Sequence, residues 1–161
     1  MKMRRFCLLL AVMLCVPAVA AAAVTAVGDG ALGVSAGNGT IYLQGHGVIY
    51  GHFDSGTLMV LKYVPDDGVS VPAVSSAKGK YSRGTGVYSG TDVRFLFSSG
   101  TYTIELIGVD MNASAVGKGS IVATGLGTPD DGSFTVNGGK PELISKSPSS
   151  DLFGISTNRV P

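Results

Sequence analysis

Glycine placed inside alternating strand sequence is the feature that most restricts what this chain can become. In residues 37–53, GNGTIYLQGHGVIYGHF, the odd positions carry Gly39, Ile41, Leu43, Gly45, Gly47, Ile49, Gly51 and Phe53; the even ones carry Thr40, Tyr42, Gln44, His46, Val48, Tyr50 and His52. A period of two with unlike faces marks a half-buried strand and does not suit a helix, whose faces repeat about every 3.6 residues. Glycine weakens a strand interior, because it packs nothing and loses the most backbone entropy on folding. Its recurrence here therefore implies sharp coiling, bulges, or close approach of a second backbone. The pattern returns eighty residues later: GKGSIVATGLG at 117–127 matches GNGTIYLQGHG at 37–47 in four glycines and one isoleucine, with Ser120 in the place of Thr40. An internal repeat of one strand unit is expected.

Residues 1–22 stand apart from this pattern. Lys2, Arg4 and Arg5 precede an apolar run from Cys7 to Val16, and small residues follow at Ala18-Val19-Ala20, the arrangement of a signal peptide. The apolar run is too short for a comfortable membrane span, and no later stretch supplies a stable one. Both cysteines, Cys7 and Cys15, lie in this leader, so the exported domain holds no disulfide and must rely on its core. Removing Lys2, Arg4 and Arg5 from the twelve basic residues leaves nine against eleven acidic ones, a net charge of −2 without clustering of sign along the chain. That balance argues against nucleic acid and anionic membrane as partners. All 24 glycines follow the leader, and together with positive mean hydropathy and few charges they indicate a folded β domain and not a disordered linker.

Along the exported part, residues 24–36 read as a weak first strand or lead-in. The strand at 37–53 follows, then Asp54-Ser55-Gly56 as a turn and TLMVLKYV at 57–64 as a strand buried on both faces, together a hairpin. Pro65-Asp66-Asp67-Gly68 and Pro129-Asp130-Asp131-Gly132 place proline, aspartate and glycine as a β-turn requires. Residues 72–91 are expected to be the longest loop, with one edge strand. VRFLF at 93–97 aligns Val93, Phe95 and Phe97, Ser98-Ser99-Gly100 is expected to turn, and 101–109 returns with Tyr102, Ile104 and Leu106 aligned. Residues 110–116 read as a polar connection, 133–136 as the last good strand, and 141–161 as a C-terminal tail that either covers a sheet edge or stays mobile. The expectation is one all-β domain over 23–140: an antiparallel, glycine-rich β-barrel or two-sheet sandwich of about 8–11 short strands, closed or covered because open edges aggregate.

The run from Val87 to Gly139, with VYSGTDVRFLFSSGTYTIEL, AVGKGSIVATG and FTVNGG, resembles a loose group of secreted bacterial glycine-rich β proteins in which paired GxG strands recur, and the GHG at 45–47 fits the earlier half of that group. The resemblance implies the fold class and carries no functional residue.

The outward positions of 37–53 hold the candidate ligand-binding residues Tyr42, Gln44, His46, Tyr50 and His52. If Gly45-His46-Gly47 is a hairpin loop, Tyr42 falls opposite Tyr50, Gln44 opposite Val48 and Thr40 opposite His52, a compact patch for a sugar or peptide. If the strand runs on with a kink, the same side chains form a long stripe. His46, His52 and Asp54 are the residue types of a Zn²⁺ or Cu²⁺ site, but six residues of extended strand separate the histidines by about 20 Å. No metal or other cofactor is expected. The Asp-Asp-Gly turns lack the further carboxylates of a Ca²⁺ cage. Asn38-Gly39-Thr40 and Asn112-Ala113-Ser114 match the glycosylation sequon.

No serine stands in a nucleophile elbow, and Glu105, the acidic residue nearest Asp110 on a confident strand, alternates outward. Gly28-Asp29-Gly30 to Gly33 lacks the strand and helix that a dinucleotide fingerprint needs. The sequence therefore names no catalytic residue. It points to a secreted, extracellular or periplasmic, non-catalytic structural or interaction module of the cell envelope or extracellular space, whose partner is an envelope or extracellular protein or a glycan. A small-ligand or carbohydrate-binding module on the Tyr/His face is the alternative, and a hydrolase a weaker one.

Overall fold

The computed structural model describes residues 30–154; the expected signal peptide at 1–22, the rest of the lead-in and residues 155–161 lie outside them. Six strands follow in order: β1 (Gly30–Pro65), β2 (Ala73–Ser82), β3 (Thr85–Gly125), β4 (Ser133–Val136), β5 (Glu142–Leu143) and β6 (Ser149–Phe153). Every pairing is antiparallel, in the order β2-β3-β1-β4-β5, with β6 on β3. Among the described residues no helix is long and apolar enough to cross a membrane. The all-β, antiparallel expectation holds, but the strand count is six and not 8–11, because β1 runs for 36 residues and β3 for 41 straight through the expected turns.

The register explains how strands of that length fit one domain. Gly39 pairs with Gly108 on one edge and with Gly125 on the other, and Gly108 pairs with both Gly39 and Gly56. Each long strand thus lies beside the other on both of its edges, which is possible only if the pair winds around itself. The sheet is not closed into a barrel; the winding stacks it into a sandwich-like arrangement of two layers. One layer carries, side by side, residues 77–82, 85–90, 57–64, 101–107, 40–46, 118–124 and 149–153. The other carries 73–75, 93–97, 48–55, 111–116, 31–35, 133–136 and 142–143. Their inner faces share one core, including Ile41, Leu43, Leu58, Ile104 and Leu106 from the first layer and Leu32, Ile49, Phe53, Phe97 and Phe134 from the second.

Two rows of glycine cross the sheet where the strands pass between layers. Gly90, Gly56, Gly108, Gly39 and Gly125 are successive ladder partners, as are Gly100, Gly47, Gly117 and Gly30. Along each strand the rows alternate every eight to ten residues, about 30 Å of extended chain. At the corner between Gly47 and Gly117 the two backbones approach reciprocally: a Cβ on Gly47 would lie 2.1 Å from the Val116 carbonyl oxygen, and one on Gly117 2.1 Å from that of His46. Both have positive φ, 139° and 141°, a region that favours glycine. The repeated motifs are thereby laid against each other, Gly39 to Gly125 through Gly47 to Gly117, in opposite directions.

At several corners the inward parity also changes. Phe53 and Leu58 are both buried across Asp54-Ser55-Gly56, and Phe97 and Tyr102 across Ser98-Ser99-Gly100; these segments are irregularities inside strands and not hairpin turns. A bulge recruits the same small and polar residues as a turn, but shifts the face without reversing the chain. The 110–116 stretch is strand for the same reason, entered through Asp110 at φ 50° opposite Ala36 at φ 51°. The two sequon asparagines hold this corner: Asp110 N donates to Asn38 Oδ1 (2.8 Å) and Ala36 N to Asn112 Oδ1 (3.1 Å).

Two further expectations change, and of the two alternatives for the tail the structure shows the one that covers a sheet edge. Residues 57–64 are buried on one face only, through Leu58, Val60 and Tyr63, with Leu61 and Val64 exposed. The expected long loop at 72–91 is mostly β2 and the start of β3. The stretch read as a tail contributes β5, β6 and the buried Ile144 and Phe153.

Tyr102 is fully buried beneath Gly45, and its hydroxyl finds no hydrogen-bond partner among the described residues. Burial pushes that hydroxyl up to about 12. An unpaired buried hydroxyl is a desolvation cost, so Tyr102→Phe is expected to raise stability by about 1 kcal/mol in urea unfolding. A variant less stable than the parent would show that the hydroxyl is satisfied.

Candidate functional site

The strand runs on through Gly45-His46-Gly47, so the hairpin patch does not form. Tyr42 lies between Glu105 and Val122, Gln44 between Thr103 and Ser120, and His46 between Thr101 and Lys118, all on the outer face of the first layer. Beyond the corner at Gly47, Tyr50 lies between Leu96 and Ser114 and His52 between Arg94 and Asn112, on the outer face of the second. The five candidate residues are thus divided into a group of three and a group of two on opposite faces.

Of the first group, Gln44 and His46 but not Tyr42 border a shallow depression of about 390 Å³, in which they, Thr101, Lys118, Ser120 and Leu152 surround the paired backbones of Gly45 and Gly119. His46 is oriented by Thr101, whose Oγ1 lies 3.3 Å from Nδ1, and by Asp66, whose Oδ2 lies 3.7 Å from Nε2. The Ser99 hydroxyl donates a hydrogen bond to the same Asp66 Oδ2 (2.5 Å). The depression presents an ammonium, hydroxyls and an amide to solvent, groups that serve carboxylates and sugar hydroxyls.

The second group borders a depression of about 540 Å³ with Arg94, Asn112, Ser114 and Val34. His52 Nε2 lies 3.0 Å from Asp92 Oδ1 and 3.6 Å from Asp54 Oδ1, and Arg94 lies 3.7 Å from Asp92. Tyr50 is 55% exposed and stands in an apolar strip with Leu96, Val48 and Val116. The ligand set His46, His52 and Asp54 is not assembled: only His52 and Asp54 meet. Among the described residues no group of three His, Cys, Asp or Glu is placed to hold a metal ion.

Both Asp-Asp-Gly segments use their second carboxylate on the chain itself. Asp67 accepts from the Ser70 hydroxyl and from the amides of Ser70 (2.8 Å) and Val69 (3.0 Å). Asp131, 1% exposed, accepts from the Thr128 hydroxyl (2.5 Å) and the amides of Gly127 (2.6 Å) and Thr128 (3.1 Å). The Thr128 hydroxyl foremost, then the amides, hold the Asp131 carboxyl below its ordinary value against the opposing effect of burial; the Ser70 hydroxyl acts likewise on Asp67. A carboxylate with a folded-state value below its unfolded one stabilises fully above the unfolded value, about 3.9, and loses that contribution as pH falls through the folded one. Acid unfolding followed by circular dichroism should therefore steepen below about pH 4. Asp131→Asn should flatten that fall, and an unchanged profile in the variant would refute the assignment.

Sequence reasoning missed Lys118, Thr101 and Ser120 beside Gln44 and His46. The signal was in the repeat: pairing the two copies in opposite directions puts Lys118 against His46 and Ser120 against Gln44, whereas direct alignment puts Ser120 against Thr40. No protein-family model matches the chain, and neither a curated protein nor a solved structure matches it with significance.

Proposed function

We propose that the chain is an exported, non-catalytic interaction module of the cell envelope or extracellular space. The observation that carries this reading is the outer face of the first layer. Seven adjacent segments from β2 to β6 form one continuous sheet surface, and its outward side chains include Thr40, Gln44, Thr57, Thr101, Thr103 and Ser120, all polar and solvent-facing. A broad surface of this kind suits an extended partner more than a small enclosed substrate. The signal-peptide reading of residues 1–22 supports export. The shallow depression beside Gln44 and His46 supports the second reading, a carbohydrate-binding module, on the same face.

Photo-crosslinking in intact cells of the source organism tests the proposal. A benzoylphenylalanine at Thr103, central on this face, should give discrete adducts with envelope or extracellular components, and one at Ser114 on the opposite face should give fewer. Adducts from neither position, with the protein recovered free, would count against an interaction role.

A further inference from the structure

Charge that looks evenly mixed along the sequence is sorted by the winding onto opposite faces. The outer face of the first layer carries Lys62, Lys78, Lys80 and Lys118, as the ladder places them: Lys118 with His46, Lys62 with Thr103, Lys78 with Ser89 and Lys80 with Val87; against them stand Glu105 and Asp66, the latter beside His46. The outer face of the second layer carries Asp54, Asp92 and Asp110 against Arg94. None of the four lysines is in an ion pair among the described residues. Lys78 and Lys80 lie on the edge strand β2, where lysine guards against strand addition. Lys62 and Lys118 lie inside the sheet, where no edge needs guarding.

Between Lys118 and Lys62 a band of donors crosses four adjacent segments: Ser120, Gln44 and Thr103 are successive ladder partners, and Lys62 is the next partner of Thr103. Three inter-strand steps make this band about 14 Å long. At the Lys118 end it opens into the depression floored by Gly45 and Gly119. We infer that this band binds a linear acidic polysaccharide lying across the strands, with carboxylates at Lys118 and Lys62 and sugar hydroxyls on Ser120, Gln44 and Thr103. Nucleic acid fits the face less well, since Tyr42, half-buried, is its one outward phenol or phenyl ring among the described residues, His46 is held by Thr101 and Asp66, and none of the cations named above is an arginine. The inference rests on the interaction-module reading and names its partner class.

The test is co-sedimentation and titration of the exported domain with polygalacturonate, dextran and double-stranded DNA. Polygalacturonate is expected to bind, more weakly as salt is raised, and the doubly substituted Lys62→Gln, Lys118→Gln protein is expected to bind about tenfold more weakly. Arg94→Gln, on the opposite face, should bind like the parent, and thermal melts should show all three proteins folded. Equal binding of dextran, preferential binding of DNA, undiminished binding by the double variant, or no binding at all would each overturn the inference. Adducts from Thr103 without polysaccharide binding would leave the interaction module standing and remove only its acidic-glycan partner; loss of both results would remove both.

Discussion

Gly47→Val is expected to abolish the native fold. The new Cβ would sit 2.1 Å from the Val116 carbonyl oxygen, a backbone atom that cannot swing aside, at a φ of 139°. The facing position, Gly117, is equally tight against the His46 carbonyl, so the corner cannot open without parting the ladder between the two repeated segments. A loss above about 4 kcal/mol is expected, comparable with the whole stability of an ordinary domain, and the variant should be recovered unfolded or aggregated. Gly33→Ala is the control, because its Cβ would meet only the Thr135 hydroxyl at 3.1 Å and a change within about 1 kcal/mol is expected there. Urea unfolding followed by circular dichroism compares them; a Gly47→Val protein unfolding cooperatively at the parental midpoint would disprove the corner geometry.

Phe97→Ala should cost about 3–5 kcal/mol. Its ring is fully buried and meets Tyr63 edge-on at 5.1 Å and Phe95 at 6.1 Å, so truncation leaves a cavity bordered by two aromatics. Leu96→Ala, one residue away on the outward side, should change stability by less than about 0.5 kcal/mol. The contrast between neighbours, read from urea midpoints, tests the inward parity of β3 ahead of its bulge. Similar losses from the two variants would mean that the outer face of the second layer is covered.

Much of the local structure was legible in the residues. Alternation at 39–53, 93–97 and 102–106 assigned Ile41, Leu43, Ile49, Phe53, Phe95, Phe97, Tyr102, Ile104 and Leu106 to the interior, and each is buried. The glycines were read as serving close backbone approach, and Gly47 and Gly117 do so. What misled was Asp54-Ser55-Gly56 and Ser98-Ser99-Gly100. Small polar residues and glycine lower the cost of unusual backbone angles whether the chain reverses or only bulges. No local pattern separates the two outcomes; the distinction rests on which strand lies alongside. The candidate site was legible in half: Gln44 and His46 do border a depression, but Tyr50 and His52 leave through the other layer because Gly47 is a corner and not a hairpin tip.

The sequence by itself therefore determined the strand character, the inward faces and the need for glycine at the crossings, since these follow from side-chain period and backbone sterics within a few residues. Only the tertiary structure decided that two strands of 36 and 41 residues wind around each other, that the repeated motifs lie side by side in opposite directions, and that Lys62 and Lys118 come to the face opposite Asp54, Asp92 and Asp110. Those outcomes depend on pairings between residues 26 to 87 positions apart, whose register is set by burying both inner faces in one core, a condition that no single stretch of the chain contains.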